Sequence, residues 1–184
     1  MPRRPPSASE PSPRRRTRVP SVSETIALQW QREKPELDLR NFLLAIYFMR
    51  LGTCVDRAFD KMCRARYRIS GGDMRVMLAL RRSGHPYARR PTDLFRALLV
   101  TSGAITKKVD RLVKAGYAER LDDPAHSGGF LVHLTRKGLK VVDEAVLALA
   151  QESALAPATA DFSSEELKVV SEQALRILAA LDRH

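Results

Sequence analysis

Apolar residues recur at helical spacing over most of this chain and switch to every second position in one short stretch. Val22, Ile26 and Trp30 share a face behind Ser21 and Glu24, whose spacing is that of a capping box. A short helix is therefore expected there, stopped by Pro35. Leu39, Phe42, Leu43, Ile46, Met49 and Thr53 then track one side of a proline-free segment running from Asp38 to about Arg66. A helix of about 30 residues is longer than a small core requires, so it is expected to span a subunit interface or brace two lobes. Gly71 and Gly72 break that pattern. Met74, Val76, Met77 and Leu80 begin the next helix, which ends near Ser83-Gly84 and is followed by a short extended piece, His85 to Arg89.

The stretch from Arg90 to Thr135 is the most informative. Pro91 suits the first position of a helix and Asp93 its positive end. Val100-Thr101 make a turn, and Thr101 can cap a second helix that Gly116 closes. In that second helix Ile105, Val109, Leu112 and Val113 form one apolar stripe, with Lys107, Arg111 and Lys114 on the opposite face. Tyr117 to Leu121 and Gly129 to Leu134 read as two strands, the second showing Phe130, Val132 and Leu134 in alternation. The polar loop from Asp122 to Gly128 joins them. A short helix, a turn, a cationic amphipathic helix and a hairpin in this order suit the groove of a polyanion.

Thr135 caps a further helix to about Ala154, with Leu139, Val142, Val146 and Leu149 on one face, and Pro157 ends it. Ser163 and Glu166 form a second capping box before Leu167, Val170, Ala174, Ile177, Leu178 and Leu181. A terminal helix this apolar requires a partner surface, for which a second subunit is the natural candidate.

Charge sharpens the picture. The net charge is +11, with a basic sequence pI near 10.3, which favours nucleic acid or an anionic membrane surface as partner. Residues 1–20 hold six arginines against Glu10 and six of the eleven prolines. That composition cannot support a core and is expected to be disordered, with a loose basic arm on DNA and an idle tail both open. The longest apolar run, Phe42 to Met49, is far short of the roughly 18–20 residues that cross a bilayer, and no export signal follows the N-terminal arginines. The protein is expected in the cytoplasm without a membrane partner. His85, His126, His133 and His184 are scattered, with no metal-ligand spacing and no nucleotide-binding or nucleophile-elbow motif nearby, so neither an enzyme nor a metal or cofactor site is expected. Cys54 and Cys63 stand on opposite sides of the long helix, roughly 13 Å apart along its axis, which excludes a bond between them within one chain.

Residues from about 37 to 182 resemble a MarR-family winged-helix transcriptional regulator, most strongly through PTDLFRALLVTSGAITKKVDRLVKAGYAERLDDP and the following LVHLTRKG. The resemblance implies a mainly α fold with a small β-hairpin: a winged helix-turn-helix domain plus a helical dimerisation domain formed by N- and C-terminal helices. It divides the chain into the tail (1–20), N-terminal helices for dimerisation and a ligand cleft (21–70), the DNA-binding domain (71–135) and C-terminal dimerisation helices (136–184). By the same resemblance the protein is a homodimer on double-stranded DNA, a repressor that a small aromatic acid releases. Thr101 to Gly116 becomes the recognition helix, with Thr101, Ser102, Gly103, Thr106, Lys107, Arg111 and Lys114 as candidate DNA contacts. Arg120 is expected to position the wing, whose tip is His126, Ser127 and Gly128. The family usually carries arginines near that tip, so minor-groove reading by this wing is weakened.

The added helix ending in QWQREKPELD resembles the branch responding to urate and similar heteroaromatic acids, where a tryptophan matching Trp30 lines the cleft. That branch has an aspartate where this chain has Arg75 and an arginine where it has Lys108. A guanidinium in place of a carboxylate favours an acid-bearing ring, of hydroxynicotinate or benzoate kind, as in repressors of nicotinate catabolism. Trp30, Arg50 and Arg75 are the candidate ligand residues. Two alternatives stay open: a sequence-neutral architectural DNA-binding protein, and a redox-responsive regulator of this family acting through Cys54 or Cys63.

Overall fold

A computed structural model of the chain describes residues 19–126 and 128–183. The expectations for the basic tail therefore fall, except at its last two residues, outside the described part, and so does Ser127. The helices are α1 (Val22–Glu33), α2 (Arg40–Tyr67), α3 (Gly71–Arg82), α4 (Pro91–Ala97), α5 (Ser102–Lys114), α6 (Arg136–Glu152) and α7 (Ser164–Leu181). The strands are β1 (Ala88–Arg89), β2 (Ala118–Asp122) and β3 (Phe130–Leu134). The fold is mainly helical with a small antiparallel sheet.

Local chemistry explains most boundaries. Ser21 and Glu24 cap α1 reciprocally, and Ser163 and Glu166 do the same for α7. Ser70, Thr101 and Thr135 each accept a hydrogen bond from the backbone N–H three residues on, at the starts of α3, α5 and α6. Gly116 takes φ +73° just past α5, a backbone state open to glycine and costly to most residues.

The sheet has one strand more than the expected hairpin. Its order is β1-β3-β2, with Ala88 opposite His133 and Arg89 opposite Val132. A strand of two residues carries too little alternation to announce itself in a sequence. Its place was legible only as the extended piece before Arg90.

The described residues form two compact units, divided within α2 between Arg50 and Leu51. In the first, Trp30 meets Phe42 edge to face at 5.2 Å and Leu43 is buried. In the second, Met74, Met77 and Leu80 of α3, Leu94 of α4, Ile105, Val109 and Leu112 of α5, Val132 and Leu134 of β3, and Val142 of α6 close one core. Each of these side chains is essentially inaccessible to water. Burial of about ten such residues, at roughly 1.5–3 kcal/mol each, is what fixes α5 on the domain. None of the described helices is long and apolar enough to cross a membrane.

Candidate nucleic-acid interface

The underside of α5 is buried through Ile105, Val109 and Leu112, which turns the other side of the helix to solvent. Thr101, Ser102, Gly103, Thr106, Lys107 and Lys114 are all exposed. Thr101 Oγ1 accepts from Ala104 N at 3.3 Å, and Thr106 Oγ1 donates to the Ser102 carbonyl at 3.2 Å. Among the described residues nothing beyond its own helix stands within 4 Å of where a Cβ on Gly103 would lie, so the chain is open to a close approach there. Lys107 and Lys114 have no ion pair among the described residues, and they present two free ammonium groups on one outer surface.

Arg111 behaves differently from the expectation of three free cations. Its Nε and Nη2 donate to the two carboxylate oxygens of Asp73 at 2.9 and 2.6 Å. Asp73 is buried in the first turn of α3. The forked geometry is that of a bidentate arginine–carboxylate pair, and the Asp73 hydrogen bonds hold the guanidinium pKa above its usual value. Sequence position showed only which face Arg111 leaves from, and its long side chain folds back across the helix edge. The same edge carries Lys108, whose ammonium lies directly against the Gly72 backbone. A second carboxylate completes this junction, since Asp60 of α2 accepts from Arg64 at 2.6 Å and from the Gly71 N–H at 2.7 Å. Those bonds, Arg64 first, hold the Asp60 carboxyl below its ordinary range.

The wing is anchored at its base. Asp123 is buried, accepts from Arg90 Nε at 2.5 Å and from the Ala125 N–H at 3.0 Å, and stands 3.6 Å from His126 Nδ1. The Arg90 bond is the larger cause holding the Asp123 carboxyl below its usual range. A lowered carboxylate pKa contributes stability above the ordinary carboxylate range, and that contribution is lost as pH falls through the folded value. The wing is therefore pinned at neutral pH. Gly128 adopts φ +75°, as the turn requires. His126 and Gly128 are exposed. Arg120 pairs with Asp110 of α5 and lies 5.1 Å over the Phe130 ring, so it ties β2 to α5 and to the far strand. Neither Asp73 nor Asp123 was singled out from the sequence. Each is a plain acid at a turn or helix start, and its partner lies more than 30 positions away.

Arg75, Trp30 and Arg50 are all engaged within the chain. Arg75 pairs with Asp56 and stands 5.4 Å over the Phe59 ring. It lines a groove of about 380 Å³ whose walls include Val55, Met62, Leu78, Leu149 and Leu155. Trp30, in the first unit, is part-exposed against Phe42, and Arg50 Nε donates to Ser23 Oγ at 3.3 Å.

The two cysteines differ in environment. Cys54 is exposed, whereas Cys63 is buried and its thiol is pushed up to about 11, chiefly by burial and then by the Asp60 charge. A thiol held that high is almost entirely protonated near pH 8. We expect a disulfide reagent such as DTNB to titrate one thiol per native chain, with Cys54→Ser abolishing the fast reaction. Two rapid equivalents in the folded protein would contradict this. Among the described residues no group of His, Cys, Asp or Glu is arranged to hold a metal ion.

A winged helix with a cationic recognition helix and an anchored wing is thus in place. Residues 69–127 match the MarR family. Over 121 residues the chain is 31% identical to the HTH-type transcriptional regulator PecS of Dickeya dadantii (strain 3937), covering 66% of this chain and 72% of that protein. The chain belongs to the MarR family. It is a MarR-family DNA-binding transcriptional regulator and not an enzyme. It is also 41% identical over 54 residues to the multiple antibiotic resistance protein MarR of Escherichia coli (strain K12), a match spanning 29% of this chain and 38% of that one. The MarR fold extends further. A mutant MarR from E. coli complexed with operator DNA superposes with TM-score 0.65 at 24% identity, over 77% of this chain and 99% of that one. Sco3205 from Streptomyces coelicolor, in complex with DNA, gives 0.66 at 20% identity over 78% and 88%.

Proposed function

We propose that this MarR-family protein is a homodimeric, cytoplasmic repressor that reads a pseudo-palindromic operator and is released by a small aromatic or heteroaromatic carboxylic acid, of hydroxynicotinate kind. The observation that carries the DNA reading is the outer face of α5, where Lys107 and Lys114 are free and Thr101, Ser102, Gly103 and Thr106 are exposed. The base-reading and phosphate contacts are assigned to these residues and to the wing residues His126, Ser127 and Gly128. Arg111 and Arg120 hold the helix and wing in position through Asp73 and Asp110. Dimerisation is supported by α7, whose Leu175 and Leu181 are about two-thirds exposed with Val170 and Leu178 above half. Solvating a stripe of that kind is unfavourable, and a two-fold partner would cover it. Solved MarR-fold structures with operator DNA and with DNA make the same mode of binding the natural expectation.

For the effector, Arg75 offers a guanidinium beside an aromatic ring at the mouth of an apolar groove. An aromatic carboxylate would take that guanidinium from Asp56 and lay its ring on apolar walls. Trp30 and Arg50 are proposed as further effector contacts. By linkage the acid must bind the DNA-incompetent state more tightly than the competent one.

The test is competition on a selected palindrome against unrelated duplex at ~150 mM salt, with and without 6-hydroxynicotinate. A specific regulator keeps a preference on the order of 10³ or more, and the acid should reduce it while raising the melting temperature. Arg75→Ala should abolish both effects of the acid and leave operator binding in its absence unchanged. No preference for the palindrome would favour a sequence-neutral architectural protein.

A further inference from the structure

Beyond α5 and the wing, the winged helix carries a second cationic feature. A groove of about 370 Å³ opens between the last turn of α3, β1 and α4, with Arg82, Ser83, Arg89 and Asp93 on its rim over a floor that includes Ala79 and Leu94. The floor residues belong to the buried core, so the groove has a rigid base. Arg82 and Arg89 are exposed and have no carboxylate partner among the described residues.

This contrasts with the arginines nearer the expected interface. Arg111 is committed to Asp73, Arg90 to Asp123 and Arg120 to Asp110. Arg82 and Arg89 carry no such commitment among the described residues; Arg96 of α4, also without a carboxylate partner, instead lies 5.9 Å over the Phe95 ring and does not line the groove.

Strand geometry connects the groove to the wing. Successive residues of an extended segment point to opposite sides, about 3.3 Å apart along the chain. Arg90 turns to one side and grips the wing through Asp123. Arg89, its neighbour, turns to the other and enters the groove. Its backbone is held in the sheet opposite Val132. One extended segment thus contributes adjacent residues to the wing anchor and to the groove.

The charge balance selects the ligand class. Two guanidinium groups against the single Asp93 carboxylate leave the groove at +1, which matches a singly charged phosphodiester better than a doubly charged free phosphate. Planar guanidinium forks also suit the two unbridged oxygens of a phosphodiester.

We propose that this groove is a second DNA-backbone site, in which Arg82 and Arg89 hold a phosphodiester outside the base pairs that α5 reads. The proposal rests on the DNA-binding reading above. It assigns to these residues affinity and footprint length, and no sequence preference.

The full chain is used to select an operator, and affinity is measured by anisotropy on two duplexes. One ends at the outer edges of the half-sites, and the other carries about eight extra scrambled base pairs on each side. The wild-type protein should bind the extended duplex more tightly and with a steeper salt dependence. In the Arg82→Gln/Arg89→Gln variant that advantage should vanish, the salt slope on the extended duplex falling by about 0.9 for each phosphate no longer neutralised. Binding to the short duplex and the melting temperature should stay at wild-type levels, and millimolar inorganic phosphate should not compete. Equal length dependence in variant and wild type would overturn the proposal, as would an equal loss on both duplexes. A Lys107→Ala/Lys114→Ala control should weaken both duplexes alike. Wild-type protein that bound neither duplex would instead refute the DNA reading itself.

Discussion

Gly138→Ala is expected to lower the stability of this protein by about 2 kcal/mol or more, although alanine is intrinsically the better helix former by about 1 kcal/mol. Gly138 lies in the first turn of α6 and is buried. A Cβ at this position would stand 2.0 Å from the Tyr117 carbonyl oxygen and 3.0 Å from its carbon. Both are backbone atoms, so no rotamer change can relieve the clash. The obstruction sits on a crowded junction. The Tyr117 carbonyl accepts from the Thr135 N–H at 3.1 Å, Thr135 Oγ1 donates to the Gly116 carbonyl at 2.8 Å, and the Gly138 N–H donates to Thr135 Oγ1 at 3.1 Å. Forcing α6 away would disturb the end of α5, the hairpin and the packing of Val142 in the core together. A fall of roughly 5 °C or more in melting temperature is the corresponding thermal result.

The matched substitution is Gly103→Ala, in the first turn of α5, where among the described residues nothing beyond the helix itself occupies the space within 4 Å. There the gain in helix propensity is unopposed, and stability should be unchanged or rise by up to about 1 kcal/mol. Operator affinity should nevertheless fall, because the added methyl group occupies the open surface at the start of the recognition helix. Thermal melts of the two variants side by side check the prediction. A Gly138→Ala protein as stable as wild type would show that the α6 junction is looser than drawn.

What was legible in the sequence follows from how far each signal reaches. The capping boxes at Ser21 and Ser163, the caps at Thr101 and Thr135, Pro91 opening α4 and Gly116 closing α5 all act within four residues, and each lies where the local chemistry put it. The apolar stripe of α5 identified its buried side because burial of one face repeats every turn. Pairing across the fold leaves no such repeat. Asp73 and Arg111 are 38 positions apart, and Arg90 and Asp123 are 33 apart. Periodicity can place a cation on a face, but it cannot say whether a carboxylate from another element is waiting there. For the same reason Arg75 was expected to await an acid, whereas it already holds Asp56. The two-residue strand β1, and with it the orientation of Arg89, was beyond reach because alternation needs more than two positions to be visible.

The distinction between free and committed cations gives the second large effect. Lys107→Ala/Lys114→Ala should cost about 10³-fold in operator affinity near 0.15 M salt, if each protomer of a dimer leaves two phosphates without their ammonium partners. The same variant should show a salt slope smaller by about 3–4 units and melt as the wild type does, since both side chains are exposed and unpaired. Arg111→Ala should behave in the opposite sense. Its removal strands the buried Asp73 carboxylate without its two charge-assisted hydrogen bonds, and destabilisation of about 1.5–3 kcal/mol is the scale for such a loss. The Asp73 end is buried while the arginine end is half exposed, which places the effect towards the lower part of that range. Operator affinity should also fall, through misplacement of α5, but the salt slope should change little because no phosphate loses a cation. Asp73→Ala should misplace α5 in the same way but cost less stability, because the guanidinium it leaves is half exposed and can be solvated, and the double variant should cost less than the sum of the single ones. Arg111→Ala protein with wild-type stability and a reduced salt slope would mean that Arg111 leaves Asp73 to meet DNA. In that event the recognition surface would contain three cations, and Asp73 would serve only to hold the third in reserve.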